Sequence, residues 1–444
     1  MKRILLSAWV VVSGLTVATA QPKQWTLKEC ADYAVAHNIN IKQRENDRRQ
    51  QELQLSTAKN SRLPDLSGSV GQNFSFGRGL TAENTYTNTN TSSTSFSLGT
   101  SVPLFTGFQI PNSIKLSQLN LEAVTADLEK AKNDVRMQVA QAYVQILYDL
   151  EVSDVARRQV EIDSMQVARL EAFVHNGKAS EAELSQQRAA LANSRLIATQ
   201  ADNSCQLSVL TLTQLLELPT PEGFAVVRPD RETLDRLSGM GMLPNPEQVY
   251  AEALGVKPEI LSQELRLKGT EHSINIAKAG NYPTLSFNAG LGTNYYTTSG
   301  FPAAKFGKQL ENNFSQYVGL NLSVPIFNRF STRNNIRSAQ IERETQLLQL
   351  DNTKKALYKE IQQVYYSARN AVAKEESSAE AVNSSRDAFT LMQAKYENGK
   401  ANITEFNEAK NNYLKSESDF VQARYESLYQ HALLEFYRGR ELSL

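Results

Sequence analysis

Catalytic sites are usually marked by clustered histidines, nucleophile motifs or glycine-rich phosphate loops, and this 444-residue chain shows none of these arrangements. It has no GxSxG motif, no HExxH motif and no phosphate-binding glycine pattern. Its four histidines are scattered, at His37, His175, His272 and His431. We therefore interpret each histidine as structural. The sequence predicts no enzyme, no cofactor and no metal site.

The two cysteines, Cys30 and Cys205, are the remaining candidates for metal or redox chemistry. They lie too far apart in sequence to form a zinc knuckle, and two alone make no disulfide framework. The residues before Cys30 are Leu27, Lys28 and Glu29, which lack the small and aliphatic types that a lipid-attachment site needs. The sequence leaves open whether the two cysteines pair.

The chain begins like a secretory signal peptide, predicted over residues 1–20. Lys2 and Arg3 supply the positive start, residues 4–12 are mostly apolar, and Ala18-Thr19-Ala20 is a small-x-small cleavage site. The alternative is an uncleaved membrane anchor. That apolar run is short for the roughly 20 residues that a membrane-spanning helix needs.

The bulk composition excludes two classes of protein. Lysine and arginine total 47 and balance 47 acidic residues, so no basic surface points to nucleic acid. Mean hydropathy is −0.42, and no later apolar stretch approaches the length of a membrane-spanning helix. These features exclude a helical membrane protein. They are compatible with a β-barrel, whose alternating strands give only a weak hydropathy signal.

The sequence consists of two matching halves. The segment SVPLF at residues 101–105 returns as SVPIF at 323–327, and NGKA at 176–179 returns at 398–401, both shifted by 222 residues. Identical residues fill the same register in between. Repeats of this kind indicate a duplicated structural unit. We predict a first repeat over 21–218, an irregular linker over 219–246 and a second repeat over 247–444.

Each repeat contains two stretches that alternate between apolar and small polar residues, which predicts strands. Their bounds are about 64–77, 94–105, 283–296 and 314–327. The lengths suit tilted strands crossing a bilayer, although a half-buried sheet in a soluble domain would give the same alternation. Aromatic residues near the strand ends favour the membrane. The connections over 77–94 and 297–313 are polar and without periodicity, which predicts long surface loops.

Four strands are too few to close a barrel, which needs about eight. A lipid-exposed open edge is not tolerated in a membrane. Strands that span a bilayer in this chain must therefore close by oligomerisation.

Long helices occupy most of the remaining sequence. Their predicted bounds are about 39–61, 108–174, 180–217, 259–279, 330–396 and 402–437. Apolar residues at steps of three and four over so many residues indicate coiled-coil packing, and about 65 residues span roughly 100 Å. The Asn-Gly pairs at 176–177 and 398–399 end the two longest helices. Pro103 and Pro325 mark the predicted junctions between strand and helix, because proline suits a strand end.

The duplicated VPLF and VPIF junctions and the two Asn-Gly turns resemble the TolC-type outer-membrane efflux proteins over essentially the whole mature chain. The resemblance implies a mainly α fold in which a homotrimeric 12-stranded β-barrel continues into a periplasmic α-helical barrel. It implies a passive exit duct in the bacterial outer membrane that extends into the periplasm. The implied partners are outer-membrane lipid, a periplasmic adaptor (membrane fusion protein) and an inner-membrane transporter of the RND, ABC or MFS type.

The resemblance also implies roles for residues near the Asn-Gly turns. Glu405, Glu408 and Glu183 match acidic positions that constrict the pore in the family, where threefold copies would form negative rings. The alternative is that glutamates at a helix start only complement the helix dipole. The eight residues of the two turns are the implied adaptor-binding tips: Asn176, Gly177, Lys178, Ala179, Asn398, Gly399, Lys400 and Ala401.

One position departs from the family pattern. Better-known members carry an arginine where this chain has Ala401, and that arginine latches the closed tip to acids of a neighbouring helix. Alanine cannot form this latch. Lys178 and Lys400 stand one residue earlier and are candidates to replace it, and how the closed state is latched stays open.

The alternative function is a structural, trimeric coiled-coil surface protein, adhesin-like, with a β-barrel anchor. Such proteins usually place their strands at one end of the chain, whereas here strands interrupt both halves. A periplasmic coiled-coil enzyme is a more distant third. The duct is therefore favoured, and the sequence identifies neither its substrate nor its pump.

Overall fold

The structure is a computed structural model that describes residues 24–80, 84–230, 234 and 243–442. The predicted signal peptide and much of the stretch from 231 to 242 in the predicted linker lie outside these residues. Two compact units are present. The strand unit comprises residues 40–132 and 250–360, and the helical unit comprises the described parts of 1–39, 133–249 and 361–444.

The described elements follow in chain order. The strands are β1 Gln24–Trp25, β2 Ser67–Leu80, β3 Tyr86–Thr106, β4 Ala225–Val226, β5 Thr284–Thr298 and β6 Ser315–Ser323. The helices are α1 Leu27–His37, α2 Ile39–Asn60, α3 Gln109–His175, α4 Glu181–Leu215, α5 Pro246–Val256, α6 Pro258–Ala279, α7 Phe306–Asn312, α8 Ser331–Glu397 and α9 Ile403–Tyr437.

Helix lengths repeat between the two halves of the chain. Both α3 and α8 have 67 residues, both α4 and α9 have 35, both α2 and α6 have 22, and both α1 and α5 have 11. The offset is 219 residues for the two shorter pairs and 222 for the two longer pairs, so the halves are duplicates whose three-residue length difference lies between α2 and α3. Among the described residues, no helix carries a stretch long and apolar enough to cross a bilayer.

The strand unit holds one antiparallel sheet of four strands in the order β2-β3-β5-β6. Val70 lies opposite Phe96, Leu98 opposite Leu291, and Phe287 opposite Leu320, so one face is apolar across all four strands. The opposite face carries small and polar residues. The apolar face is exposed at the sheet edge, where the side chain of Leu320 is 67% exposed. Among the described residues, the edge strands β2 and β6 each pair with a strand on one side only.

The predicted loop over 77–94 is wrong for most of its length. β3 begins at Tyr86 and pairs with β2 up to the Leu80–Tyr86 pair, so only residues 81–85 connect the two strands. The sequence here is rich in threonine, serine and asparagine, so neither face shows the apolar alternation from which strands are predicted. Threonine nevertheless favours the extended backbone, and the ladder continues without an apolar face.

The connection after β5 also differs from prediction, because it contains α7. Thr293 Oγ1 donates to the carbonyl of Leu310 at 2.7 Å, and Gln309 bonds the backbone of Tyr296 at 2.9 and 3.0 Å. These bonds fold the helix back on β5. β6 then ends at Ser323, earlier than the predicted end at 327.

The strand-to-helix junctions use the same backbone in both halves. Two consecutive residues have positive φ in each: Gly107 (61°) and Phe108 (66°), then Arg329 (55°) and Phe330 (63°). A Cβ at position 107 would lie 2.7 Å from the carbonyl oxygen of Ala279, so glycine also relieves a clash there. These residues, rather than the nearby prolines, turn the chain.

The prolines predicted at these junctions lie close to them. Pro103 is inside β3, at a register shift between Pro103 and Phe105. This placement fits a residue with no ladder donor. Pro325 lies just beyond the end of β6.

In the helical unit, α1 begins with a capping box. Glu29 N donates to Thr26 Oγ1 at 3.2 Å, and Thr26 N donates to Glu29 Oε2 at 2.9 Å. Cys30 and Cys205 are both buried, and no disulfide joins them.

Candidate functional site

The two Asn-Gly turns of the helical unit, here called the tip turns, have the same geometry. Gly177 (φ 67°) and Gly399 (φ 68°) occupy the left-handed position that ends a helix. Lys178 N donates to the carbonyl of Phe173 at 2.8 Å, and Lys400 N donates to that of Lys395 at 2.8 Å. These bonds, with those from each glycine N, form Schellman motifs. A Cβ on either glycine would meet no atom within 4 Å, so both turns face open space.

The helix after each tip turn begins with a capping box. Glu183 N donates to Ser180 Oγ at 3.2 Å, and Glu405 N donates to Asn402 Oδ1 at 2.9 Å. The two glutamate side chains also accept a bond from the backbone N of their cap residues. Glu183 accepts from Ser180 N at 3.2 Å, and Glu405 accepts from Asn402 N at 2.9 Å. Two of the three predicted constriction acids, Glu183 and Glu405, therefore cap the starts of their own helices. This is the alternative role that the sequence left open.

The predicted acids on α9 lie away from the core of the helical unit. Glu405 and Glu408 are exposed, whereas Phe406 between them is 0% exposed. The Phe406 ring stacks on Tyr396 at 4.9 Å and packs near Phe389 at 5.7 Å. Within the described residues, Glu408 has no hydrogen bond or ion pair. The buried phenylalanine thus fixes α9 so that both acids point out of the chain.

An arginine that the sequence did not single out, Arg169 on α3, contacts the end of α8. Its guanidinium lies 5.2 Å from the Phe173 ring centroid and 5.8 Å from that of Tyr396. Arg169 Nη2 also donates to the carbonyl of Glu397 at 3.2 Å. Cations near a helix C-terminus and over aromatic rings are stabilising. This arginine therefore ties α3 to the C-terminal end of α8.

Electrostatics around Tyr396 reflect the same neighbours. Burial raises the pKa of the Tyr396 phenol above its ordinary value, Arg169 opposes that rise, and Glu183 adds to it.

The side chains of Lys178 and Lys400 are exposed and form no ion pair in the part of the chain that the structure describes. Neither lysine therefore forms a latch bond within the described part of its own chain.

A second polar cluster, here called the buried network, lies deeper between α3, α4 and α9. Lys410 Nζ donates to Asp163 Oδ1, and these side chains are 1% and 0% exposed. Gln187 Nε2 donates to Asp163 Oδ1 at 3.0 Å, and Asn407 Nδ2 donates to Gln187 Oε1 at 3.0 Å. Lys410 Nζ also donates to Asn407 Oδ1 at 3.2 Å, and Ser194 Oγ donates to Asp163 Oδ2. The bonds from Asp163 through Gln187, Asn407 and Lys410 close into a ring.

The sequence held a signal for this network that was not used. Lys410 falls in the apolar series Ile403, Phe406 and Leu414 at steps of three and four. Asp163 falls in the same way between Val160 and Val167. A charged residue inside a core-facing stripe predicts a buried partner, because unpaired charges are not retained in cores.

A family model and several relatives match this chain. The family model described as outer membrane efflux protein matches residues 31–217 and 249–440. The fusaric acid resistance protein FusA of Burkholderia cepacia is 25% identical over 291 residues, which cover 63% of this chain and 51% of FusA. The outer membrane efflux protein BepC of Brucella suis is 21% identical over 337 residues, 76% of this chain and 68% of BepC. The chain therefore spans only about half the length of FusA.

Solved structures show the same fold. The crystal structure of the CmeC outer membrane channel of Campylobacter jejuni superposes with a TM-score of 0.74 at 18% identity, covering 94% of this chain and 87% of that one. This likeness assigns the mainly helical fold with a strand portion that the sequence predicted. Because the family model covers most of the sequence in both halves, this chain belongs to the outer membrane efflux protein family and is located in the outer membrane.

Proposed function

We propose that three copies of this chain form a passive exit duct through the outer membrane, for an efflux or secretion system. A periplasmic adaptor of the membrane fusion type would hold it to an inner-membrane transporter of the RND, ABC or MFS type. That transporter would drive transport, and the duct itself would catalyse no reaction. The observation that carries the proposal is the four-stranded sheet, with an exposed apolar face and two unpartnered edges.

Long free edges are unfavourable in any environment. β2 has 14 residues and β6 has 9, and nearly all of them are exposed in the single chain. Edges of this length promote uncontrolled pairing unless something covers them, and a bilayer tolerates none at all. Pairing β6 of one copy with β2 of the next removes every edge. Three copies of a four-stranded sheet then give twelve strands, enough for a barrel around an aqueous lumen.

Disulfide trapping tests this edge pairing. Each test variant carries two cysteines: Val70→Cys on β2, and Val318→Cys, Leu320→Cys or Leu322→Cys on β6. The combination whose two positions lie opposite each other in the barrel should crosslink between chains. All four positions lie on the apolar face. Within one chain the two edges are three strand spacings apart, about 14 Å, which is too far for a disulfide. Non-reducing gels should show dimers and trimers.

The matched control for the crosslink uses the opposite face. Val70→Cys combined with Gly319→Cys or Asn321→Cys should give no crosslinked dimers or trimers. The side chains at 319 and 321 point away from the apolar face on which residue 70 lies. A protein that native mass spectrometry finds only as a monomer in detergent would contradict the trimer. A trimer that forms no conducting pore in planar bilayers would contradict the duct and favour a structural surface protein.

The tip turns are the proposed adaptor surface. Gly177→Arg together with Gly399→Arg should abolish export in cells, because long charged side chains would occupy the open space at both turns. The matched control is Gly177→Asn with Gly399→Asn, since asparagine tolerates the left-handed backbone at small cost. Dye accumulation in the source cells measures export. Equal export by both pairs of variants would remove the tip turns from the docking surface.

A further inference from the structure

We infer that the buried network around Lys410 and Asp163 sets the register of α9 against α3 and α4, and so positions the acids Glu405 and Glu408 at the entrance of the duct. This inference rests on the proposed function, because it concerns how the proposed entrance is held closed. Lys410 and Asp163 are positioning residues in this view. They would not contact the transported substrate.

The pair differs from every other ion pair in the described part of the chain. Its side chains are 1% and 0% exposed, whereas both partners of each of the other described ion pairs are at least 18% exposed. Exposed pairs contribute little, because water screens them. A fully buried pair is different in kind, because losing either partner leaves an uncompensated charge in the core.

The network joins three helices through directional bonds. Asp163 belongs to α3, Gln187 and Ser194 belong to α4, and Asn407 and Lys410 belong to α9. A slide of α9 by one turn would move Lys410 about 5.4 Å and break every bond that it makes. The surrounding apolar contacts, such as Phe406 and Leu414, would tolerate alternative registers much better. A polar residue at a core position is a known means of fixing helix register.

The position of the network links it to the acids. Lys410 lies two residues after Glu408 and five after Glu405 on one continuous helix. Fixing the axial and rotational position of Lys410 therefore fixes where both carboxylates point. Such a pair is also suited to reversible release. When both partners reach water together, they regain the hydration that burial removed, so separation costs less than leaving one charge buried alone.

The duplication supplies a matched control. Arg188 occupies the position of the first half that corresponds to Lys410 at the shift of 222 residues. Its side chain is 57% exposed and pairs with Glu171 at 2.8 Å on the surface. Arg188→Met thus removes a basic residue at the equivalent helix position without disturbing the buried network.

The test compares Lys410→Met, the double variant Asp163→Leu with Lys410→Met, and Arg188→Met. Three measurements apply: single-channel conductance, block by hexamminecobalt(III), and amide hydrogen exchange of α9. Lys410→Met leaves the Asp163 charge buried without its partner. It should therefore shift the ratio of closed to open channels about a hundredfold towards the open state. We expect higher conductance and faster exchange over residues 403–414. Arg188→Met should match the parent chain in all three.

The double variant separates positioning from stability. Apolar replacement of both partners often preserves or raises stability, so this variant should fold even where Lys410→Met does not. Of the network's bonds to α9, the double variant keeps only that from Asn407 Nδ2 to Gln187 Oε1, so α9 should lose its single register, and hexamminecobalt block should weaken at least about tenfold. Parent-like conductance, block and exchange in the double variant would overturn the inference. If the parent chain forms no pore, the proposed function fails, while hydrogen exchange still decides the role of the network.

Discussion

Leu320→Arg should prevent accumulation of the trimer in the outer membrane, whereas Asn321→Arg, one residue further along the same strand, should be tolerated. The two side chains point to opposite faces of β6, since Leu320 lies opposite Phe287 and Asn321 lies opposite Ser286. The first pair belongs to the apolar face and the second to the small, polar face. An arginine facing lipid near the midplane costs about 2–4 kcal/mol per chain. Three copies carry that cost three times.

The measurement is the amount of heat-modifiable trimer in the outer-membrane fraction at equal expression. The two variants have the same charge and size, so charge alone cannot explain a difference between them. Equal losses would show that β6 tolerates no arginine on either side. A selective loss with Asn321→Arg would mean that the small-residue face meets lipid and that the proposed barrel is inside out.

Glu405→Gln with Glu408→Gln should weaken cation block of the channel at least about tenfold and reduce its preference for cations. In a trimer these substitutions remove six negative charges from the entrance. Rings of carboxylates attract cations into a narrow pore and repel anions. Glutamine keeps the capping box, because its amide oxygen still accepts from the backbone N of Asn402. Conductance and hexamminecobalt block of single channels measure the effect.

A comparison with Glu405→Ala separates the charge from the cap. Alanine removes both, so it should add a loss of about 1 kcal/mol in the stability of the α9 start. Glutamine should leave that stability unchanged. Glu183→Gln tests the third predicted acid in the same way. Block by hexamminecobalt that is unchanged in both glutamine variants would leave Glu183 and Glu405 with the capping role alone and would remove Glu408 from the gate.

The helices could be predicted closely because their ends carry local signals. The long helices were predicted over 108–174 and 330–396 and lie at Gln109–His175 and Ser331–Glu397. Each ends at an Asn-Gly pair whose glycine takes the left-handed backbone that few other residues accept. Because the two repeats match in sequence, a helix end identified in one repeat also predicted the corresponding helix end in the other.

The first nine residues of β3 could not be predicted in this way. Residues 86–94 pair with β2 through backbone bonds, and their side chains are almost all threonine, serine or asparagine. Prediction of strands from one sequence depends on an apolar face, and this part of the ladder has none. The strand is defined by its partner, which is a non-local property.

The buried network was missed for a related reason. Asp163 and Lys410 are separated by 247 residues, and only the packing of α3 against α9 brings them together. Their places in apolar stripes could have identified each as buried, but not which residue pairs with which. Glu183 and Glu405 were predicted as constriction acids, and their bonds to Ser180 and Asn402 give them a local role at their helix starts.

Both native thiols of this chain are shielded, which suits it to site-directed spectroscopy. Cys30 is 0% exposed and Cys205 is 8% exposed, and the sequence contains no others. Burial raises the pKa of the Cys205 thiol, and Asp149 raises it further, so little reactive thiolate forms at neutral pH. A cysteine placed at Asn176 or Asn398 would thus be labelled selectively in the otherwise unaltered protein. Paired spin labels there would report the width of the proposed entrance as it opens.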